Sequence, residues 1–178
     1  MMRWLIWMSL FFGLWGGSAS SAYAQEDDSL LKAAFIYQFS KFVYWSNNVK
    51  PNPLILCTLG EDKLIEVING LDADIIPNKK VIVQSVQAKI GINNCHILYI
   101  ASSEHGSFRS LDVISQRKAI LTISELPGFV EAGGIIELIY EGNKIRFDIN
   151  NDAARHKGLE ISSSLLKLAR KVKWENRQ

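Results

Sequence analysis

Cys57 and Cys95 are the only cysteines of the chain, and each lies in or at the start of an apolar run: PLILCTLGED (Pro53–Asp62) and NNCHILYIASSEH (Asn93–His105). Two thiols can form a bond, join a metal site or supply a nucleophile. Structural zinc takes about four ligands, and no His or Cys stands two to four residues from Cys57. Cys95 and His96 are neighbours, and neighbours on a strand face opposite ways, so they would not share one metal. The C-x-x-C of a thioredoxin-like centre is absent. An oxidising compartment would favour a disulfide; a cysteine nucleophile assisted by His96, His105 or His156 stays open.

The remaining reactive side chains do not assemble into a motif. Ser102, Ser103, Glu104 and His105 cluster, yet no G-x-S-x-G elbow presents a serine. Neither G-x-G-x-x-G nor G-x-x-x-x-G-K-[ST] occurs, which argues against a dinucleotide or a nucleoside triphosphate. Where strands give way to helices, the chain places carboxylates: Glu61 and Asp62 in TLGED, Glu104 in ASSEH, Glu125 in TISEL. Acidic side chains complement a helix N-terminus and repel a phosphate that would otherwise settle there. We therefore expect no catalytic residue, no metal and no cofactor.

The elements that must position these residues follow from periodicity. DDSLLKAAFIYQFSKFVYW reads as a helix capped by Asp28 or Ser29, with Leu31, Ala34, Phe35, Gln38, Phe39 and Phe42 on one face. Leu30, Ile36, Tyr37, Val43, Tyr44 and Trp45 cover its other sides, as in a helix buried from more than one direction or one that also serves an interface. LILCTLG, KKVIVQSV, CHILYIAS and KAILTIS read as strands. EDKLIEVINGL and GSFRSLDVISQ read as helices between them, and GFVEAGG as a short helix or turn. IIELIYEGNKIRFDIN is a hairpin turning at Glu141–Lys144. DAARH forms a helical turn, and SSSLLKLARKVK a last helix with Leu165, Leu166, Ala169 and Val172 inward. This alternation predicts one α/β domain: a mixed, mostly parallel sheet flanked by helices, with a C-terminal β-hairpin and a final helix. The basic residues of KLARKVKWENRQ suit a helix C-terminus or a contact with an acidic protein or anionic lipid.

Compartment and composition come last. Arg3, an apolar stretch from Trp4 to Trp15, and Ala22-Tyr23-Ala24 form an export signal cleaved before Gln25. The apolar stretch is about 12 residues, short of the roughly 20 that span a bilayer. We expect a signal peptide over 1–24, a polar leader over 25–29, the domain over 30–173 and a tail over 174–178. A net charge of +2, with 48% hydrophobic and 21% charged residues, is an ordinary globular balance. No basic groove interleaved with aromatics points to nucleic acid.

KAAFIYQFSKFVYW, LCTLGED, CHILYIASSE, ILTISELPGFVEAGGIIELIYEGNKIRFDIN and AARHKGLEISSSLLKLAR, in this order, resemble the YfiR family (DUF4154) of small periplasmic proteins from about Lys32 to Arg170. The resemblance implies a dimeric, non-enzymatic regulator. Its better-described members bind the periplasmic sensor domain of an inner-membrane diguanylate cyclase and repress it, lowering cyclic di-GMP and disfavouring biofilm. It also implies that Cys57 and Cys95 pair, as the family's first-strand cysteine and the one in its CH motif do. The second cysteine pair that some relatives carry near the hairpin is absent here. Relatives also occur beside sensor kinases and outer-membrane receptors. The alternative is therefore a periplasmic small-molecule-binding sensor module coupled to a different receptor or kinase. With net charge near zero, affinity for a partner must come from apolar anchors. We expect these at Phe129 and Val130, beside Gly133-Gly134, and at Leu168 and Val172.

Overall fold

A computed structural model describes residues 20–45, 50–70, 81–87, 91–106, 119–142 and 144–174. The first 19 residues of the expected signal peptide, the helix expected over GSFRSLDVISQ and the last four residues of the tail lie outside the described residues.

The chain opens with α1 (Ser20–Phe42) and passes into the two-residue strand β1 (Val43–Tyr44). Then come β2 (Leu54–Leu59), α2 (Lys63–Gly70), β3 (Val81–Val86), β4 (Ile97–Ile100), β5 (Leu121–Ser124), β6 (Ile136–Glu141) and β7 (Lys144–Asn150). The end of the chain is α3 (Asn151–His156), β8 (Glu160–Ile161), α4 (Ser163–Leu168) and β9 (Lys171–Lys173). Seven strands form one sheet in the order β3-β2-β4-β5-β6-β7-β9, and β1 pairs with β8 apart from it. The first five positions are parallel, β7 returns antiparallel as the arm of the hairpin, and β9 runs parallel to β7. The mixed, mostly parallel α/β architecture expected from the alternation is thus the one observed. β4 (Ile-Leu-Tyr-Ile) and β5 (Leu-Thr-Ile-Ser) are buried throughout, as central strands covered on both faces require.

Three expectations need correction. The first concerns where α1 starts: it begins at Ser20, so residues 25–29 are helical and Asp28 and Ser29 are interior to the helix, not its cap. The second concerns its phase. The buried stripe is Ser29, Ala33, Ile36, Phe39, Ser40 and, beyond the helix, Val43, whereas Leu31, Ala34 and Gln38 are exposed. The period is helical, but with Leu or Phe on nearly every side hydrophobicity could not fix the phase. Contact fixes it. Ala33, Ile36 and Phe39 join the main core cluster, and the Phe39 ring meets Phe147 of β7 edge-on at 5.0 Å. Ile36 and Phe39 are fully buried, a contribution of about 2 kcal/mol each.

The third correction is at the C-terminus. The last helix stops at Leu168, and Lys171–Lys173 is a strand. Ser162 caps α4, its Oγ accepting from the Leu165 N–H at 3.3 Å. At the other end Ala169 is extended, and the Arg170 N–H donates to Phe147 O at 2.9 Å. The Arg170 guanidinium grips Asp148 with two bonds, Nε to Oδ1 at 2.9 Å and Nη2 to Oδ2 at 2.7 Å. These contacts outweigh the helix propensity of Leu, Lys, Ala and Arg, which is a fraction of a kcal/mol per residue. Lys171 and Lys173 therefore serve a strand and not a helix terminus, and both reach Glu131.

Candidate functional site

The two cysteines lie side by side on neighbouring strands. Cys57 is in β2 and Cys95 stands just before β4, and they form a disulfide with Cα atoms 5.7 Å apart. Both are buried, so neither sulfur is a nucleophile. His96 extends the same seam. Its backbone N–H donates to Ile55 O at 2.9 Å, while its Nδ1 accepts from the Ile55 N–H at 3.0 Å. The ring meets Trp45 edge-on, and burial lowers its pKa below the ordinary value. A neutral imidazole accepting at Nδ1 carries its proton on Nε2, so His96 acts as a strand-joining acceptor.

The junction carboxylates serve the fold. Asp62 caps α2, its Oδ1 accepting from the Ile65 N–H at 2.8 Å, and its Oδ2 accepts from the Tyr99 hydroxyl at 2.9 Å. That hydroxyl also approaches Glu125 Oε2 at 3.4 Å, and Glu125 pairs with Lys32 of α1 at 2.5 Å. Burial first, then the charges of Glu125 and Asp62, push the Tyr99 phenol far above its ordinary pKa. It is thus a permanent donor that ties α1, α2 and the central strands together.

β2 is flanked by β3 on one side and β4 on the other, so strand order reverses there, the position where open α/β sheets bind ligands. A cavity of about 730 Å³ lies at this point, lined among others by Glu61, Glu66, Ser103 and Glu104. On one wall of the cavity the β2 and β4 loops approach each other closely. Gly60 has φ +85°, and a Cβ there would stand 2.7 Å from Ser103 Oγ. That oxygen accepts from the Glu61 N–H at 3.0 Å, tying the β4 loop to the end of β2. Among the described residues no group of three or more His, Cys, Asp or Glu could hold a metal ion.

The expected anchors separate. Phe129 and Val130 are 0% and 3% exposed, so they fill the core and cannot meet a partner. Gly134 explains why: a Cβ on it would fall 2.2 Å from the Phe129 ring. The glycine next to Phe129 therefore allows a close approach within the chain rather than by a partner's backbone. Glu137 completes the arrangement, its two oxygens accepting from the N–H groups of Gly128 and Val130 at 3.2 and 3.3 Å. The Asn150 side chain donates to Val130 O at 2.8 Å. Val172 is half-buried in β9. Leu168 is 69% exposed.

Leu30, Leu31 and Tyr140 are exposed as well. The Lys32 ammonium lies over the Tyr140 ring at 5.6 Å, and Arg170 reaches Glu141 at 3.9 Å. Sequence reading found Leu168 but missed Tyr140, which the alternation of β6 alone assigns to the core face, and Leu30 and Leu31, whose exposure depends on the phase of α1.

The structure is an α/β domain with a disulfide-clasped, mostly parallel core and a cavity where the strand order reverses. The chain belongs to the YfiR/HmsC-like family, DUF4154, whose profile matches residues 29–170. This is a family of periplasmic regulatory proteins. A conserved domain protein from Vibrio cholerae O1 biovar El Tor strain N16961 shares the fold, with a TM-score of 0.58 at 12% identity. The match covers 82% of this chain and 60% of that one, so this chain spans less than two thirds of that protein's length. No curated protein matches the chain. Among the described residues no helix is long and apolar enough to cross a membrane.

Proposed function

We propose that the chain is exported by cleavage after residue 24. In the periplasm it acts as a homodimer that represses an inner-membrane diguanylate cyclase by binding that enzyme's sensor domain, so lowering cyclic di-GMP. The observation that carries this reading is the family match over residues 29–170. Two features support it: Ser103 and His96 make structural contacts, and Leu168, Tyr140, Leu30 and Leu31 are exposed apolar side chains. Such side chains supply affinity where net charge is small. On this reading Leu168, with Tyr140, Leu30 and Leu31, meets the sensor domain, and the partner-facing role considered for Phe129 and Val130 lapses.

The test is Leu168→Asp, with Tyr140→Asp as its companion. Both positions are exposed, so both variants should fold and export as the parent does. Cyclic di-GMP should rise to the level of cells lacking the protein. Full repression by folded variants would remove this surface from the reading. A pull-down with the mature chain from solubilised inner membranes should return a protein with a cyclase domain, and recovery of a sensor kinase alone would replace the target.

The cavity beside Gly60 favours a second reading, a module that senses a small molecule. Its Glu61, Glu66 and Glu104 would select a neutral or cationic compound over an anion. A ligand bound there would protect the backbone amides of residues 60–66 from hydrogen exchange.

A further inference from the structure

Open α/β sheets hold phosphates where the strand order reverses, on the N–H groups of a loop and of the helix that follows it. Three of those donors are already taken here. The Glu61 N–H goes to Ser103 Oγ at 3.0 Å, the Ile65 N–H to Asp62 Oδ1 at 2.8 Å and the Glu66 N–H to Asp62 O at 3.2 Å. The charges around the cavity point the same way. Glu61, Glu66 and Glu104 line it, and its described lining includes no Lys, Arg or His. Carboxylates elsewhere in the molecule are matched: Glu125 by Lys32, Glu131 by Lys171 and Lys173, Asp148 by Arg170. Glu61 and Glu66 are exposed and form no ion pair among the described residues. Leu59, Ile65 and Val86 add an apolar lining, and a volume of about 730 Å³ suits a small molecule. Among the described residues no group of three or more His, Cys, Asp or Glu could hold a metal ion. The three glutamates are spread over the end of β2, the first turn of α2 and the loop after β4, so a cation that meets them all has its charge spread as well.

We propose that this cavity is a binding site for a small organic cation, amino or guanidino groups carried on a short apolar chain. This rests on the small-molecule reading above and fixes the charge of its ligand. The apolar chain lies along Leu59, Ile65 and Val86, and the cationic groups meet Glu61, Glu66 and Glu104 through charge-assisted hydrogen bonds. Asp62 stays outside this set, because its two oxygens serve the cap of α2 and the Tyr99 hydroxyl. Like charges lining one concavity focus a negative potential there, which raises the local concentration of a cation and repels an anion. An anion would also find the backbone donors of Glu61, Ile65 and Glu66 spent. An uncharged compound would gain nothing from the charge of the three glutamates.

The test titrates the exported chain with cadaverine, pentanediol and glutarate, which carry ammonium, hydroxyl and carboxylate ends on chains with the same number of carbons. Calorimetry should show saturable binding of cadaverine alone, and bound cadaverine should protect the backbone amides of residues 60–66 from hydrogen exchange. Glu61→Gln and Glu66→Gln should each weaken that binding about tenfold. Both side chains are exposed, so the melting temperature should not change. Glu131→Gln, which does not line the cavity, should leave the affinity as it is. Protection by pentanediol or glutarate and not by cadaverine would overturn the proposal and leave the small-molecule reading standing. Equal weakening by Glu131→Gln would mark attraction to the acids of the chain in general and would also overturn the proposal. If none of the three compounds binds, the proposal falls. The small-molecule reading falls with it only when a low-molecular-weight periplasmic extract gives no protection at residues 60–66 either.

Discussion

The half of the sheet that ends at β3 and the half that ends at β9 are fastened by different chemistry. On the β3 side the clasp is covalent and neutral. Cys57 and Cys95 join β2 to the approach of β4, and His96 locks the same strands through both its backbone and its ring nitrogen. On the β9 side the fastening is ionic. Asp148 grips Arg170, Glu131 holds Lys171 and Lys173, and Glu137 gathers the backbone of the loop around Phe129. Each half is therefore vulnerable to a different agent. The first half answers to reductant and is indifferent to salt. The second tolerates reductant, and its exposed ion pairs weaken as salt screens them.

Four perturbations test this contrast, taken from the largest effect downward. Cys57→Ala combined with Cys95→Ala should cost about 3–4 kcal/mol of unfolding free energy, because the bond restrains the unfolded chain. Denaturant titration checks this, and reduction of the parent should reproduce it at any salt concentration. Glu137→Ala removes the acceptor of two backbone N–H groups from a buried site and should cost about 2 kcal/mol by the same titration. Glu137→Gln, which keeps one acceptor, should cost less.

The third perturbation is acid. Burial depresses the His96 pKa in the folded state, so the unfolded chain takes up a proton that the folded one resists. Stability should therefore fall as pH drops from about 6.5, the ordinary histidine value, through the lower folded value. Protonation at Nδ1 would also remove the acceptor of the Ile55 N–H. His96→Asn should flatten this limb of the pH–stability curve.

The smallest effect belongs to Glu131→Gln. Hydrogen bonds from Lys171 and Lys173, with their charges, lower the Glu131 pKa. Its contribution is present above the unfolded value of about 4.5 and is lost as pH falls through the depressed folded one. All three side chains are exposed, so global stability should barely move. The readout is faster hydrogen exchange at residues 171–173, which added salt should mimic.

Much of the fold could be read from the sequence because its central strands carry unambiguous signals. β2 and β4 are apolar runs bounded by turn residues, and Glu141–Lys144 marks the hairpin without competition. The disulfide was expected from an even cysteine count, an implied oxidising compartment and the family resemblance together, and the two cysteines are bonded. What failed has a common cause, namely tertiary contact deciding between local alternatives of similar energy. Lys171–Val172–Lys173 alternates as a strand should, but it follows six helical residues, and only the fork of Arg170 on Asp148 settles it. Phe129 beside two glycines looks like an exposed anchor until Gly134 is seen beneath its ring. In α1, Leu31 and Ile36 are equally apolar, and only packing on the core separates the outward one from the inward one. Leu168 could be read as a surface candidate because Lys167 and Arg170 flank it.

The most direct test of the regulatory reading is cellular cyclic di-GMP, measured by mass spectrometry in a strain lacking the chain and again after the exported chain is restored. The account predicts a rise on removal and a return to the parental level on restoration, with no return for an exported, folded Leu168→Asp variant. An unchanged cyclic di-GMP level in all three strains would contradict it.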